Sequence, residues 1–493
     1  MSDRTTNRRG YLAAVAAATA SLAGCSGSSD DEPEDDADGT SDADDTGDSP
    51  ANGTTNDSED DRMIETPADG ARALVDAMST GAFEEAVELF SESYRDRVSP
   101  GLLENLWLAF TGVGGGFETV LGSEEGVQSG FDAVDLRLGF TRGEHVLRVL
   151  TRGDGTVVGA AVNDEYAGPA YADGDAFETR ELALESDDCS MDAAVTVPAG
   201  ADPDAVPGVV LVHGNDPLGT ADKNLDAGGT QMFRDLAEGL SSAGVAVFRY
   251  DRRTNACPGT IESTGYTLDR VSVADAVAAA ERFRTVEGVD PDRVFVVGHS
   301  LGAFATPRIV DRTGLAGGVA LASPGRSFSE IVVDQLEYLA TVGEYDRQNA
   351  LDQYEVWQDQ IERVRAGDYN PGDSVLGYPG AFWDSLSEYD HVETARSIDA
   401  PLFYVWGSND YQVTDEDAAL LREELGDRDR TTFRTYDGLN HLFMPVDPPS
   451  VQVEYAVRNN VAPTVIEDVA AWVRSGGSSN EDTTASVAGP AGR

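Results

Sequence analysis

The sequence predicts a doubly wound α/β domain over about residues 180–475, preceded by a small α+β domain over about 64–170. Three observations lead there. The chain has 493 residues, more than one core usually organises. Its first half places helical spacing before strand-like alternation. Its second half alternates short, wholly apolar runs with helical segments.

Residues 1–25 read as an export signal rather than as folded structure. Arg8-Arg9-Gly10-Tyr11-Leu12 resembles a twin-arginine signal, and an Ala-rich apolar run follows to Leu22. Leu22-Ala23-Gly24-Cys25 reads as a lipobox, in which cleavage leaves Cys25 as a lipidated N-terminus; the bland alternative is a chance cysteine after a weak anchor helix. The chain is therefore expected on the outer face of the cytoplasmic membrane, held by lipid. This run is the only long apolar stretch, which excludes a multi-pass membrane protein.

Residues 26–63 form an acidic tether. Up to residue 61 they contain no Lys, Arg or aromatic side chain, so nothing offsets the entropy of ordering them. Residues 476–493 are a shorter tail of the same kind. From Thr66, Ala71, Leu74, Val75, Met78, Phe83, Ala86, Val87 and Phe90 recur at helical spacing, and Leu102, Leu106 and Phe110 share a later helical face. After Gly116 the pattern is strand-like, as in 134–138, 145–150 and 157–162. His145 is the only histidine of this domain and sits in a strand, where it reads as a packed side chain.

In the second domain, strands are expected at 208–212, 245–250, 294–298, 317–322, 401–406 and 431–436. Runs such as Val209-Val210-Leu211-Val212 suit parallel strands covered on both faces. Residues 326–390 interrupt the alternation with helical stretches and the aromatic residues Tyr378, Phe382, Trp383 and Tyr389. Their place after one strand and before Pro401 sets them over the strand ends as a lid, or else as edge helices without a substrate role.

A net charge of −54, from 89 acidic and 35 basic residues, argues against nucleic acid as a partner, because phosphate would be repelled. Lys223 is the one lysine. Acids spread over both domains resemble the surface of proteins from salt-loving organisms, where screening removes most self-repulsion. Besides Cys25 there are two cysteines, Cys189 and Cys257. Outside the cytoplasm they can form a disulfide, or they remain two separate buried thiols.

The chemistry concentrates at Gly298-His299-Ser300-Leu301-Gly302, a G-x-S-x-G turn placed directly after an apolar strand and before a helix start. The glycines are needed because a nucleophile on a strained turn leaves no room for neighbouring side chains. A serine hydroxyl needs a histidine to take its proton. Of five histidines, His145 lies in the other domain, His213 in a turn, His299 in the motif itself and His391 at the end of the insertion. His441 remains, in a loop after the last strand. The acid that orients it is expected between Ser and His, and Asp410 stands on a loop after a buried strand. Asp415 and Asp417 are rivals that read better as caps of the next helix. For the developing oxyanion, the N–H groups of Leu301 and Asn215 are the candidates, with His213 bracing the Val212-His213-Gly214-Asn215 turn.

These residues, with Phe248-Arg249-Tyr250-Asp251-Arg252-Arg253-Thr254, Asn409-Asp410-Tyr411-Gln412-Val413 and Gly438-Leu439-Asn440-His441-Leu442-Phe443, make residues 180–475 resemble an α/β-hydrolase of the serine aminopeptidase and dienelactone-hydrolase-like group. The front domain resembles a small α+β module of unknown function found before such hydrolases, and the whole resembles an exported haloarchaeal-type lipoprotein. Relatives usually continue the His-Gly turn with Ser-Gly-Pro and Asp-Arg-Asp, whereas this chain reads Asn215-Asp216-Pro217-Leu218-Gly219-Thr220-Ala221-Asp222-Lys223. The resemblance implies a mostly parallel sheet with a helical lid. It also implies two-step acyl transfer on a small-molecule acyl substrate, with no metal or organic cofactor. An ester is preferred, since no acidic pocket for a substrate amino group is legible. Peptidase or thioesterase activity on the same scaffold, and a surface-binding lipoprotein without turnover, are the alternatives.

Overall fold

The computed structural model describes residues 64–200, 206–225, 227–342 and 347–478. Cys25, the tether up to residue 63 and the tail from 479 lie outside the described residues.

The front unit begins with α1 (Pro67–Ser79), α2 (Phe83–Glu88), α3 (Glu92–Arg95) and α4 (Pro100–Gly114), followed by a meander of β1 (Phe117–Gln128), β2 (Phe131–Phe140), β3 (Gly143–Thr151) and β4 (Val157–Val162). Local signals set the helix starts. Thr66 and Asp69 form a capping box ahead of Pro67, and Ser99 accepts from Leu102 N at 3.1 Å ahead of Pro100. The four strands pair in sequence order, all antiparallel. Val134, Leu136, Leu138 and Phe140, alternating along β2, meet Leu74, Met78, Leu106 and Phe110 in one core. On α4 the buried stripe runs through Leu103, Leu106, Trp107 and Phe110, so Leu103 rather than Leu102 points inward. The spacing i, i+3, i+4, i+7 accounts for that phase.

The second unit has an eight-stranded sheet of order β14-β13-β10-β9-β7-β8-β6-β5. Its elements are β5 (Phe177–Ser186), β6 (Cys189–Pro198), β7 (Val206–Val212), α5 (Met232–Ser242), β8 (Ala246–Tyr250), α6 (Arg253–Ala256), α7 (Ala274–Phe283), β9 (Val289–His299), α8 (Leu301–Thr313) and β10 (Gly318–Leu321). The insertion supplies α9 (Phe328–Thr341), α10 (Arg347–Ala366), the small hairpin β11 (Ser374–Val375) and β12 (Tyr378–Pro379), and α11 (Gly380–Ser387). After it come α12 (His391–Ser397), β13 (Leu402–Gly407), α13 (Asp415–Leu425), β14 (Thr431–Tyr436) and α14 (Pro463–Arg474).

Pairing is parallel from β14 through β8, and the hairpin β5–β6 joins antiparallel at the edge. Alternation divides the central strands between two cores. Val209, Leu211, Val247, Phe295 and Val297 face α5 and α14, while Val210, Val212, Phe248, Val294 and Val296 face α7 and α8. Strand β5 was not legible in sequence because it is mostly exposed and polar. Cys189, at the start of β6, is bonded to Cys257, with Cα atoms 6.0 Å apart.

The two units are stitched together at residues 446–458. Asp447 N donates to Gly112 O at 2.8 Å, and Arg142 Nη1 pairs with Asp447 Oδ2 at 2.7 Å. Val451 and Val457 complete the core of the front unit. Asp164 Oδ2 accepts from Arg458 N at 2.8 Å and meets His145 Nδ1 at 2.6 Å, so His145 is a buried, bonded side chain packed on Phe110 and Phe140.

Two buried charges carry expected outcomes. The fully buried Arg253 guanidinium grips Asp275, itself 2 % exposed, by Nε at 3.1 Å and by Nη2. Asp275→Ala leaves that cation without its buried partner and should lower the unfolding free energy by about 3–5 kcal/mol, read from denaturant titration in high salt. Glu454 accepts from Asn440 Nδ2 at 2.7 Å, Ser450 Oγ at 2.6 Å and Val451 N at 2.8 Å, yet burial pushes its carboxyl up to about 7. A carboxyl raised on folding stabilises the fold below its unfolded value of about 4.5 and loses that contribution as pH climbs through about 7. Glu454→Gln should therefore flatten part of the fall in unfolding midpoint between those pH values; Asp235, also pushed up to about 7 by burial, supplies a parallel share that remains.

Candidate active site

The turn between β9 and α8 places Ser300 in a conformation that side chains rarely adopt, with φ 53° and ψ −114°. Its neighbours have to be glycine. A Cβ on Gly298 would stand 2.2 Å from Gly302 O, and one on Gly302 would stand 2.4 Å from Val212 O. The strained backbone lifts Ser300 out of the strand and leaves Leu301 as the first residue of α8, whose N–H has no partner within the helix. Ser300 is half-buried, in a region where nearly every other side chain is buried.

His441 and Asp410 come together from separate loops. His441 Nδ1 meets Asp410 Oδ2 at 2.7 Å, both side chains being almost fully buried. Asp410 is fixed in turn: its Oδ1 accepts from Gln412 N at 2.8 Å and Val413 N at 3.0 Å. Asp417 is used elsewhere. It caps α13 through Thr414 N and holds the Arg326 guanidinium by both oxygens. With Nδ1 committed to Asp410, Nε2 is the nitrogen of His441 left for proton transfer.

No hydrogen bond joins Ser300 Oγ to the His441 ring among the described residues. What brings them together is His299, the residue before the serine. Its Nε2 lies 2.8 Å from His441 O, and the two imidazole rings are 4.6 Å apart. Burial, with His441 alongside, holds the His299 ring well below the usual imidazole range, so it stays neutral. A carbonyl on Nε2 requires the proton there, and Nδ1 then accepts from Asn224 Nδ2 at 2.6 Å.

Asn224 extends the chain to the turn at Gly214. Its Oδ1 accepts from Gly214 N at 2.7 Å. An unbroken run therefore links Gly214, Asn224, His299 and the His441 carbonyl. Gly214 lies so close to the serine that a Cβ on it would be 3.2 Å from Ser300 Cβ. Gly214 N–H is thus engaged with Asn224, whereas the N–H of Leu301 has no partner within α8. His213 has the bracing place expected of it: Nε2 lies 2.6 Å from Tyr250 O, and burial pushes the ring down to about 3.

The insertion covers this cluster from two sides. Asn215 Nδ2 donates to Tyr378 Oη at 2.9 Å, while Gln335 Nε2 donates to Gln412 O at 3.1 Å and Tyr338 stacks on Tyr411 at 4.7 Å. Segments of the insertion thus touch both the turn at Asn215 and the loop of Asp410. Sequence reasoning missed Asn224, Asn440 and Glu454. Asn440 Oδ1 accepts from Leu442 N and Met444 N, both at 3.1 Å, and shapes the loop that carries His441. Asn440 directly precedes the histidine, which was the available signal; Asn224 and Glu454 had none, being distant in sequence from what they hold.

Among the described residues no group of three or more His, Cys, Asp or Glu is arranged to hold a metal ion. The cluster is suited to acyl transfer: a serine on a strained elbow, a histidine oriented by a buried carboxylate, and the backbone turn at Gly214 packed against the elbow.

A model described as the alpha/beta hydrolase family matches residues 209–454. Esterase EstD of Thermotoga maritima is 31% identical over 404 residues, which cover 81% of this chain and 93% of that protein. Among solved structures, Est1E from Butyrivibrio proteoclasticus aligns with 60% of this chain and 98% of its own at 15% identity and a TM-score of 0.39. The hyperthermophilic esterase from Pyrobaculum calidifontis aligns with 60% of this chain and 85% of its own at 16% identity and a TM-score of 0.40. On the family match and the near full-length relative, this chain belongs to the alpha/beta hydrolase family.

Proposed function

We propose that this protein is a carboxylesterase-like serine hydrolase in which Ser300 is the nucleophile, His441 the general base and acid, and Asp410 the residue that orients the histidine. The observation that carries the reading is the 2.7 Å contact between His441 Nδ1 and Asp410 Oδ2 beside a serine held at φ 53°. The esterase named among the relatives supports ester over amide.

The reaction follows from the geometry. Substrate closes the gap between Ser300 Oγ and His441 Nε2, as apo sites commonly require. Ser300 Oγ attacks the carbonyl carbon as His441 takes the hydroxyl proton, and Asp410 stabilises the imidazolium. The N–H groups of Leu301 and Asn215 receive the negative oxygen. Collapse expels the alcohol, protonated by His441. A water deprotonated by His441 then releases the acid and restores the serine. A fluorophosphonate probe is expected to label the salt-soaked wild type and to leave Ser300→Ala unlabelled. Asp410→Asn should lower kcat by about 10⁴-fold, because the histidine tautomer is lost. Equal labelling of Ser300→Ala would end the proposal, and faster turnover of aminoacyl amides than of short esters would favour the peptidase alternative.

We further propose that the enzyme lies outside the cell on a lipid anchor. The twin-arginine pair Arg8-Arg9, the apolar run to Leu22 and the lipobox ending in Cys25 support export and lipidation. The Cys189–Cys257 bond suits an oxidising compartment. Cys25→Ser is expected to move the protein from the membrane fraction to the soluble fraction of a homologous host. Retention on the membrane would count against the anchor.

A further inference from the structure

Three arginines of this molecule grip a carboxylate with a fork in which Nε and Nη2 donate in parallel to the two oxygens. Arg148 holds Asp135 in this way, with Nε at 2.7 Å and Nη2 at 2.5 Å. Arg326 holds Asp417 at 3.3 and 2.9 Å, and Arg253 holds Asp275. Arg252 leaves the same fork empty. It is 1 % exposed, and among the described residues it has no carboxylate partner, and its Nε and Nη2 are buried without any hydrogen-bond partner. A buried guanidinium whose fork is unmatched is costly, because those N–H groups have left water without a hydrogen bond to replace the ones they lost.

Its position gives that cost a meaning. The remaining nitrogen, Nη1, donates to Gly214 O and to Asp216 O, the latter at 3.2 Å, so the side chain is locked onto the turn beside Ser300. On the same turn, Asn215 Oδ1 is also buried without a partner, and Asn215 Nδ2 bonds Tyr378 of the lid. Tyr266 packs on both Tyr378 and Phe382, which gives this side an aromatic wall.

We propose that the Nε–Nη2 fork of Arg252 binds a carboxylate of the substrate, so that the enzyme prefers esters carrying a free carboxylate a few bonds from the scissile carbonyl, the half-esters of short dicarboxylic acids among them. The proposal rests on the serine-hydrolase reading and specifies its substrate class. Entry of such a substrate requires the lid residue Tyr378 to yield. In a chain of net charge −54 the approach of an anion depends on salt, which screens the surface and leaves a buried pair largely intact. A cation beside the elbow also disfavours substrates that present an ammonium group there.

The test compares monoethyl glutarate and monoethyl adipate with the corresponding diethyl esters, following ethanol release in high salt by wild type, Arg252→Gln, Arg252→Lys and Ser300→Ala. Wild type is expected to favour the half-esters in kcat/KM by about ten- to hundredfold, the ratio expected for hydrogen bonds to a charged group. Arg252→Gln should lose that ratio, with KM for the half-ester rising most, and Arg252→Lys should keep a part of it as a point charge without a fork. Should Arg252→Gln not fold, inhibition of the wild type by glutarate against butyrate decides in its place, with the dicarboxylate expected to bind at least tenfold more tightly. Diethyl esters turned over in a Ser300-dependent way without preference for the half-esters, or an Arg252→Gln variant that slows both alike, would overturn the proposal and leave the hydrolase reading standing. If no ester is turned over by any variant, it is the hydrolase reading that fails.

Discussion

The site depends on the neutral, buried imidazole of His299. One ring nitrogen donates to the backbone of His441 and the other accepts from Asn224, which fastens Gly214. Three loops from distant parts of the chain are thereby set against one another by groups that cannot move to water without leaving buried polar atoms unmatched. The residue preceding Ser300, free to vary as far as the turn motif is concerned, is the one that aligns the histidine backbone with the elbow. A protonated His299 would lose the acceptor that Asn224 needs, and burial prevents that protonation.

The front unit bears on the same alignment from the far side. Residues 446–458 complete its core through Val451 and Val457, and the same stretch carries Glu454, which holds Asn440 beside His441. The path from the meander to the histidine loop is thus continuous in hydrogen bonds and packing. The insertion makes comparable contacts on the other side, with Tyr378 on the turn at Asn215 and Tyr338 on the loop of Asp410.

Much of this was legible because the sequence signals it used are local. The elbow has its glycines and its strand–turn–helix setting within a short stretch, and the buried parallel strands announce themselves as apolar runs. His441 followed by elimination among five histidines. The exposed strand β5 escaped because its side chains point mostly to solvent, where no apolar alternation is required. Leu102 was assigned to the face that Leu103 occupies, since a helix start reads in more than one phase when both positions are leucine. Asn224, Glu454 and Arg252 escaped for another reason: each acquires its meaning only from partners brought close by folding.

The seam at residues 446–458 constrains how this protein can have been assembled in evolution. An exchange of the front module for an unrelated one would strip apolar cover from Val451 and Val457 and break the Arg142–Asp447 pair, loosening the loop of His441. The module and the hydrolase unit are therefore expected to descend as one heritable piece, with substitutions on either face of the seam answered by substitutions on the other. The alignment with EstD, at 404 residues longer than the hydrolase unit alone, agrees with such joint inheritance.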